Sequence, residues 1–251
     1  YNGGLQEGVS YVQRTAKGRV RVSAAKAFLG PAKKRRNLSI RTNAHVMRIE
    51  LEGKRATAVR YAVGGRHGAV TLVRARREIV LSAGTVNSPH ILQLSGIGPK
   101  GLLDELGIQV KHHLPGVGEN LRDHYAPRFT ARAKNIQTIN ELSRGPRLFL
   151  EIGKYLLGKH SIIGLGPTLV YAFWHSDEKV RNHDLQITFA PASYKEGVQS
   201  QLDHEPGFTV ASWQQRPESL GWVKAWSSDP FEKPRIQPNY LSAEEDKRIL
   251  L

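Results

Sequence analysis

Gly84-Thr85-Val86-Asn87-Ser88-Pro89-His90-Ile91-Leu92-Gln93-Leu94-Ser95-Gly96-Ile97-Gly98 is the stretch that decides how this chain folds. The apolar run Ile79-Val80-Leu81 leads into it through Ser82-Ala83-Gly84. This order predicts a buried strand over 78–82 that ends in small residues and passes into a helix. Small residues at the C-terminal end of a strand let a backbone or a ligand come close. Ser88 is expected as the helix N-cap, Pro89 in the first turn, and Gly96 as the C-terminal stop.

Upstream, residues 1–15 read as a loop. Residues 21–29 read as a helix capped by Ser23, with Gly30-Pro31 as a break or bend. Residues 38–42 read as a short strand. Residues 44–51 and 56–62 read as two longer strands joined by the turn Glu52-Gly53-Lys54-Arg55. A second turn at Gly64-Gly65 leads to a strand over 69–73. Together these form a β-meander placed before the 78–82 strand.

Downstream, 99–106 reads as a short helix closed by Gly107. Gly116-Val117-Gly118 superficially looks like a phosphate loop, but it lacks a third glycine and Pro115 argues against a preceding strand. Thr138-Ile139-Asn140-Glu141 is a capping box. Residues 148–157 form an amphipathic pattern ended by Gly158, and 162–167 is a glycine-rich loop. Strand patterns at 169–173, 185–189, 207–213 and 221–226 point to an antiparallel sheet, and a helix starts near Ser242.

The 251 residues suffice for one large domain or two modest ones, and the 39% apolar content suits a globular chain. No apolar run approaches the length of a membrane span. The absence of cysteine excludes disulfides, thiolate metal sites and cysteine nucleophiles. The net charge is +15, with basic runs at Lys33-Lys34-Arg35-Arg36 and Arg74-Ala75-Arg76-Arg77. Aromatics do not interleave with these runs as a nucleic-acid surface needs, so they read as solvated ends of a helix and a strand. The only methionine is Met47, and the chain stops at Ile249-Leu250-Leu251 inside a helical pattern. Both ends look cut, so a piece of a longer protein is expected.

The 84–98 stretch resembles the second signature of the glucose–methanol–choline (GMC) family of flavin oxidoreductases and meets every constrained position of it. Leu114-Pro115-Gly116-Val117-Gly118-Glu119-Asn120-Leu121-Arg122-Asp123-His124 is similar to a further family segment, with Arg122 where Gln is common. Asp184-Leu185-Gln186 is similar to a family strand, with His183 in place of Pro. Gly221 to Pro230 and Pro234 to Leu241 resemble the opening of the family's C-terminal region.

The resemblance implies an α/β chain (α+β overall). Residues 1–126 would be part of an FAD-binding, Rossmann-like domain with a β-meander. Residues 127–251 would be part of a substrate-binding domain with an antiparallel sheet and helices. FAD is the cofactor it implies. The backbone at Val46 would meet the adenine, and Ser82, Ala83 and Gly84 would give clearance beneath the adenosine half. Asn120 and His124 would serve either as a polar clasp or as loop hydrogen bonds. Asn2 and Gln6 would belong to a loop that runs near the flavin.

The implied reaction is oxidation of an alcohol to an aldehyde or ketone with hydride transfer to flavin, choline dehydrogenase-like. The family's catalytic histidine belongs to a C-terminal motif outside this sequence, so no catalytic residue is named. The Gly-x-Gly-x-x-Gly phosphate loop is also outside it, and the chain alone is expected to be inactive. A small-molecule alcohol is the expected partner, with no metal, no nucleic acid and no transmembrane segment. The expected location is cytoplasmic, or peripheral to a membrane. The alternative is a non-catalytic homologue that keeps the scaffold as a binding or structural protein.

Overall fold

The structure is a computed structural model that describes residues 7–166, 168–195, 197 and 201–251. Asn2 and Gln6 lie outside the described residues. The chain forms two compact units, one of residues up to Leu38 with His124–Pro217 and Glu244–Leu251, the other of Ser39–Asp123 with Glu218–Ala243.

The Ser39–Asp123 unit contains the expected meander. Strands Ala44–Glu52, Arg55–Val63 and Ala69–Arg74 form an antiparallel sheet in chain order. Gly53 takes φ +59 in the tight turn between the first two strands, a conformation with little cost only for glycine. A second three-stranded sheet runs Arg235–Gln237, Gly221–Lys224, Glu119–Leu121. Helix Gly84–Leu94 contributes buried Ile91 and Leu94 to the core, alongside Ile49, Ala58, Tyr61 and Val223. Each such buried side chain stabilises the fold by about 1.5–3 kcal/mol for the larger aliphatics.

Gln93 is the polar centre of this unit and is 0% exposed. Its Nε2 donates to the carbonyls of Val117 (3.2 Å) and Val223 (3.1 Å), and its Oε1 accepts from the Ala225 N–H (2.6 Å). One side chain thereby joins the helix, the 115–118 turn, strand Gly221–Lys224 and the residue that follows it. Gly118 sits against it with φ +87, and a Cβ there would lie 2.1 Å from the Val223 carbonyl oxygen and 2.5 Å from Gln93 Nε2. Gly118 therefore serves close backbone packing, whereas a Cβ at Gly116 would meet nothing within 4 Å.

The other unit is built on a five-stranded antiparallel sheet, in the order Gly8–Tyr11, Val170–Trp174, Leu185–Ala190, Gly207–Gln214, Arg128–Arg132. Of the four strands expected in one antiparallel sheet, those at 169–173, 185–189 and 207–213 lie in this sheet, whereas Gly221–Lys224 belongs to the three-stranded sheet of the other unit. Helix Ile139–Leu142 starts at Thr138, whose N–H donates to Glu141 Oε2 at 3.0 Å, as in a capping box. Asn140 is 0% exposed and holds Ser193 from both sides. Its Nδ2 donates to the Ser193 carbonyl (2.8 Å) and its Oδ1 accepts from the Ser193 N–H (2.9 Å). Helix Gly145–Leu156 is amphipathic as expected, yet Phe149, Leu150 and Leu156 on it are exposed. No helix among the described residues is long and apolar enough to cross a membrane.

Several local expectations are corrected. Residues 78–83 carry no regular structure, and Val80 is 76% exposed. A strand exists only through its ladder, and no described strand pairs with this run. Residues 38–42 are likewise not a strand. The helical segment Ala25–Leu29 runs on through Gly30–Ala32, so Gly30-Pro31 is no break. The basic runs at 33–36 and 74–77 do lie at the ends of a helix and a strand, with every Lys and Arg in them exposed.

Replacing Gln93 by Leu leaves three buried backbone groups without partners. Urea unfolding followed by tryptophan fluorescence should show a loss of about 3 kcal/mol. Gly118→Ala should cost a comparable amount, about 3 kcal/mol, through the steric clash and the positive φ together.

Candidate functional site

The sequence-predicted site residues fall in one unit. Val46 is half-buried on strand Ala44–Glu52, and Ser82, Ala83 and Gly84 form the turn before helix Gly84–Leu94. Strand Ala44–Glu52 is the edge of its sheet, and its register slips between Val46 and Arg48. An edge strand offers backbone N–H and C=O groups on its free side. A cleft of about 400 Å³ opens beside it, with Met47, Arg48, Val70, Leu94 and Pro230 in its lining.

The turn into the helix is open and small. Gly84 takes φ +87, and a Cβ at Gly84 would meet nothing within 4 Å. Glycine is therefore required by the backbone angle, and the space around it is free. Ser82 and Gly84 are exposed, and Ala83 is half-buried.

Ser88 and Pro89 do not sit where expected. The N-cap is Ala83, and both residues lie inside the helix. Ser88 still serves the helix start, because its Oγ accepts the Ala83 N–H at 3.1 Å. Pro89 brings no N–H for the Thr85 carbonyl, which loosens the ladder next to the turn. Gly96 ends the helix as expected, at φ +84, with its N–H on the Gln93 carbonyl at 2.9 Å.

Ser95 joins the two pieces of the candidate site. Its Oγ donates to the Ile91 carbonyl (2.6 Å) and accepts the Ile49 N–H (2.8 Å). The helix that starts at the Ser82–Gly84 turn is thus fastened at its far end to the strand that carries Val46. This hydrogen bond and Gln93 were missed by sequence reasoning. The available signal was a polar residue inside the apolar run Ile91-Leu92-Gln93-Leu94, on the buried face.

Electrostatics around the strand are organised by buried or paired groups. Burial raises the Glu50 carboxyl, but hydrogen bonds from Arg60 (2.6 Å) and Arg48 (3.0 Å) outweigh it and hold its pKa below the usual value. His45 stacks on Phe231 with centroids 4.6 Å apart, and its Nε2 is 2.8 Å from the Pro230 carbonyl. His90 is buried in the helix, and burial first and the nearby His45 second push its pKa below 6.5.

Asn120 and the His112-His113 pair lie in short strands, and His124 lies in irregular chain. Asn120 is exposed in strand Glu119–Leu121 with φ +61. His124 Nε2 lies 3.1 Å from the Gln215 carbonyl, and its ring stacks on Trp213 at 5.6 Å. These contacts match the loop hydrogen-bond reading for His124. The His112-His113 pair is exposed, and His113 Nδ1 accepts the Lys100 N–H at 3.1 Å.

Two outcomes follow for this helix. Ser88→Ala removes the bond to Ala83, and chemical unfolding should show a loss of about 1 kcal/mol. His90 has a folded-state pKa below its unfolded value of 6.5, so the unfolded chain binds more protons between the two. Stability is then full above pH 6.5 and falls as pH drops below it. His90→Asn should flatten that slope in unfolding measured between pH 7.5 and 5.5.

Comparison with known proteins agrees with this fold. The family model described as GMC oxidoreductase matches residues 1–126. The chain is 39% identical over 254 residues to an oxygen-dependent choline dehydrogenase from Photobacterium profundum, covering 99% of this chain and 43% of the relative. It is 38% identical to the enzyme of the same name from Vibrio vulnificus, covering 99% and 44%. The chain thus spans less than half the length of these curated relatives. A solved structure of a formate oxidase variant from Aspergillus oryzae superimposes with a TM-score of 0.86 at 22% identity, covering 98% of this chain and 47% of that one, and so shows the shared fold. On the match across residues 1–126, which includes the signature stretch at 84–98, the chain belongs to the GMC oxidoreductase family.

Proposed function

We propose that the protein containing this chain oxidises an alcohol to an aldehyde or ketone by hydride transfer to FAD. Choline is the substrate to try first, because the relatives at 36–39% identity carry the name choline dehydrogenase. When bound, the flavin supplies the hydride acceptor. The parts of this chain proposed to hold it are the Val46 backbone, against the adenine, and the Ser82–Gly84 turn, beneath the adenosine half.

The observation that carries the reading is the open turn at Ser82–Gly84, where a glycine at positive φ leaves free space at the start of the signature helix. The edge position of strand Ala44–Glu52 supports it, since a backbone contact needs a strand edge not covered by another strand, and the Ile49 N–H is already taken by Ser95. Residues 1–126 are assigned to the cofactor-binding part and 127–251 to the substrate-binding part. The compact units cut across this division at both ends, because residues up to Leu38 fold with His124–Pro217 and Glu218–Ala243 fold with Ser39–Asp123. A cytoplasmic location, with peripheral attachment to a membrane as its variant, completes the proposal.

The test is the visible absorption spectrum of the purified protein encoded by the reading frame that includes this sequence. Flavin bands that bleach on addition of choline or another alcohol are expected. Absence of flavin after FAD is supplied would overturn the reading. Ser82→Trp fills the proposed clearance at an exposed position. It should lower FAD retention at least about tenfold while shifting stability by no more than about 0.5 kcal/mol.

A further inference from the structure

Glu7, His175 and His183 lie together at one end of the five-stranded sheet. The strand register explains why. Gly8 pairs with Phe173, and Trp174 pairs with Leu185. Glu7 directly precedes the first strand, His175 follows the second, and His183 comes two residues before the third. Three neighbouring strands therefore deliver three ligating side chains to one spot, although 168 positions separate Glu7 from His175 and only eight separate the two histidines.

The donor atoms converge. Glu7 Oε2 is 3.9 Å from His175 Nε2 and 4.0 Å from His183 Nε2. The two imidazole rings have centroids 4.2 Å apart, and the three ligand atoms all lie within 4.8 Å of one another. In a tetrahedral site with metal–ligand bonds of about 2.0–2.2 Å, neighbouring ligand atoms sit about 3.3–3.5 Å apart. Closing each Glu–His gap to that spacing takes about 0.5 Å.

These distances exceed a hydrogen bond, so the cluster does not satisfy itself. His183 Nε2 is buried and without a hydrogen-bond partner, and so is His175 Nδ1. A buried nitrogen with no partner is costly. A cation on the His183 Nε2 lone pair removes that cost. The loop between the histidines is already fixed, because Asp184 accepts the Ser176 N–H (2.8 Å) and the Ser176 hydroxyl (2.6 Å). A fixed loop presents the imidazoles with little left to order on binding.

We propose that Glu7, His175 and His183 form a binding site for a zinc-class divalent cation that clamps edge strand Gly8–Tyr11 onto the sheet. Two imidazoles and one carboxylate suit zinc and related d-block dications, whereas magnesium and calcium favour all-oxygen sets. Three protein ligands leave a fourth position for water. The site is independent of the flavin proposal, and its test reads metal directly.

The experiment is titration of the tag-free, chelator-treated protein with zinc chloride, and separately with cobalt chloride and magnesium chloride. Saturation at about one zinc per chain is expected, with visible d–d bands from cobalt and no response to magnesium. His175→Gln and His183→Gln should each weaken zinc binding at least about tenfold, and Glu7→Gln should weaken it as well. Zinc should raise the melting midpoint of the unaltered protein but not of the histidine variants. His112→Gln, at an exposed histidine of the other unit, should leave zinc binding unchanged. Circular dichroism confirms that each variant is folded. Should a histidine variant fail to fold, the exposed Glu7→Gln carries the same test. No saturable zinc binding, or equal binding by the Glu7 and histidine variants, would overturn the proposal.

Discussion

The buried carboxamide of Gln93 is the constraint on which the Ser39–Asp123 unit depends. It gives two donors and an acceptor to three backbone groups that belong to separate stretches of chain. A polar side chain with no exposed surface is tolerable only when every atom is paired, and here the pairing also sets geometry. The helix can take only the position at which Val117, Val223 and Ala225 all reach it. Gly118 is part of the same constraint, because any side chain there would strike the Val223 carbonyl or the amide itself. The apolar contacts around Ile91, Leu94 and Leu103 supply burial, but they would accept many small shifts that the carboxamide does not.

The second unit uses the same device with different residues. Asn140 has no exposed surface and binds the Ser193 backbone through both ends of its amide. It also donates to the Asp203 carbonyl at 3.0 Å, so a short helix is tied to the region beyond the sheet strand. In each unit the apolar pattern selects which face is inside, and one satisfied amide selects the alignment. Such networks favour a single packing over near-degenerate ones.

Helix Gly84–Leu94 links this scaffold to the candidate site. Its C-terminal end is held by Gln93 and by Ser95, whose hydroxyl bridges the Ile91 carbonyl and the Ile49 N–H. Its N-terminal end is held more lightly, by the single Ser88–Ala83 bond, with Pro89 removing one rung nearby. A helix fixed at one end and open at the other keeps the small residues at 82–84 accessible. That division follows from residue placement: the polar anchors are at 93 and 95, while glycine, alanine and serine occupy the turn.

Element types are legible in the sequence wherever local chemistry is decisive. The meander strands, the turn at Gly53, the Gly96 and Gly107 stops, the Thr138 cap and the antiparallel strands from 170 onward all match, because each rests on alternation, a glycine at positive φ or a capping side chain. The family was legible for a similar reason, since the signature is contiguous. The 78–82 run shows the limit. Its apolar residues are right for a strand, but a strand is made by a ladder partner, and residue type alone does not supply one. Ser88 was misplaced by five residues because a serine can serve a helix start from within, by reaching back to the Ala83 N–H. Gln93, Asn140 and the Glu7–His175–His183 cluster were decided only by tertiary structure. Their partners lie up to 176 positions away in the chain, and nothing in a local window tells a polar residue on a buried face which groups will meet it.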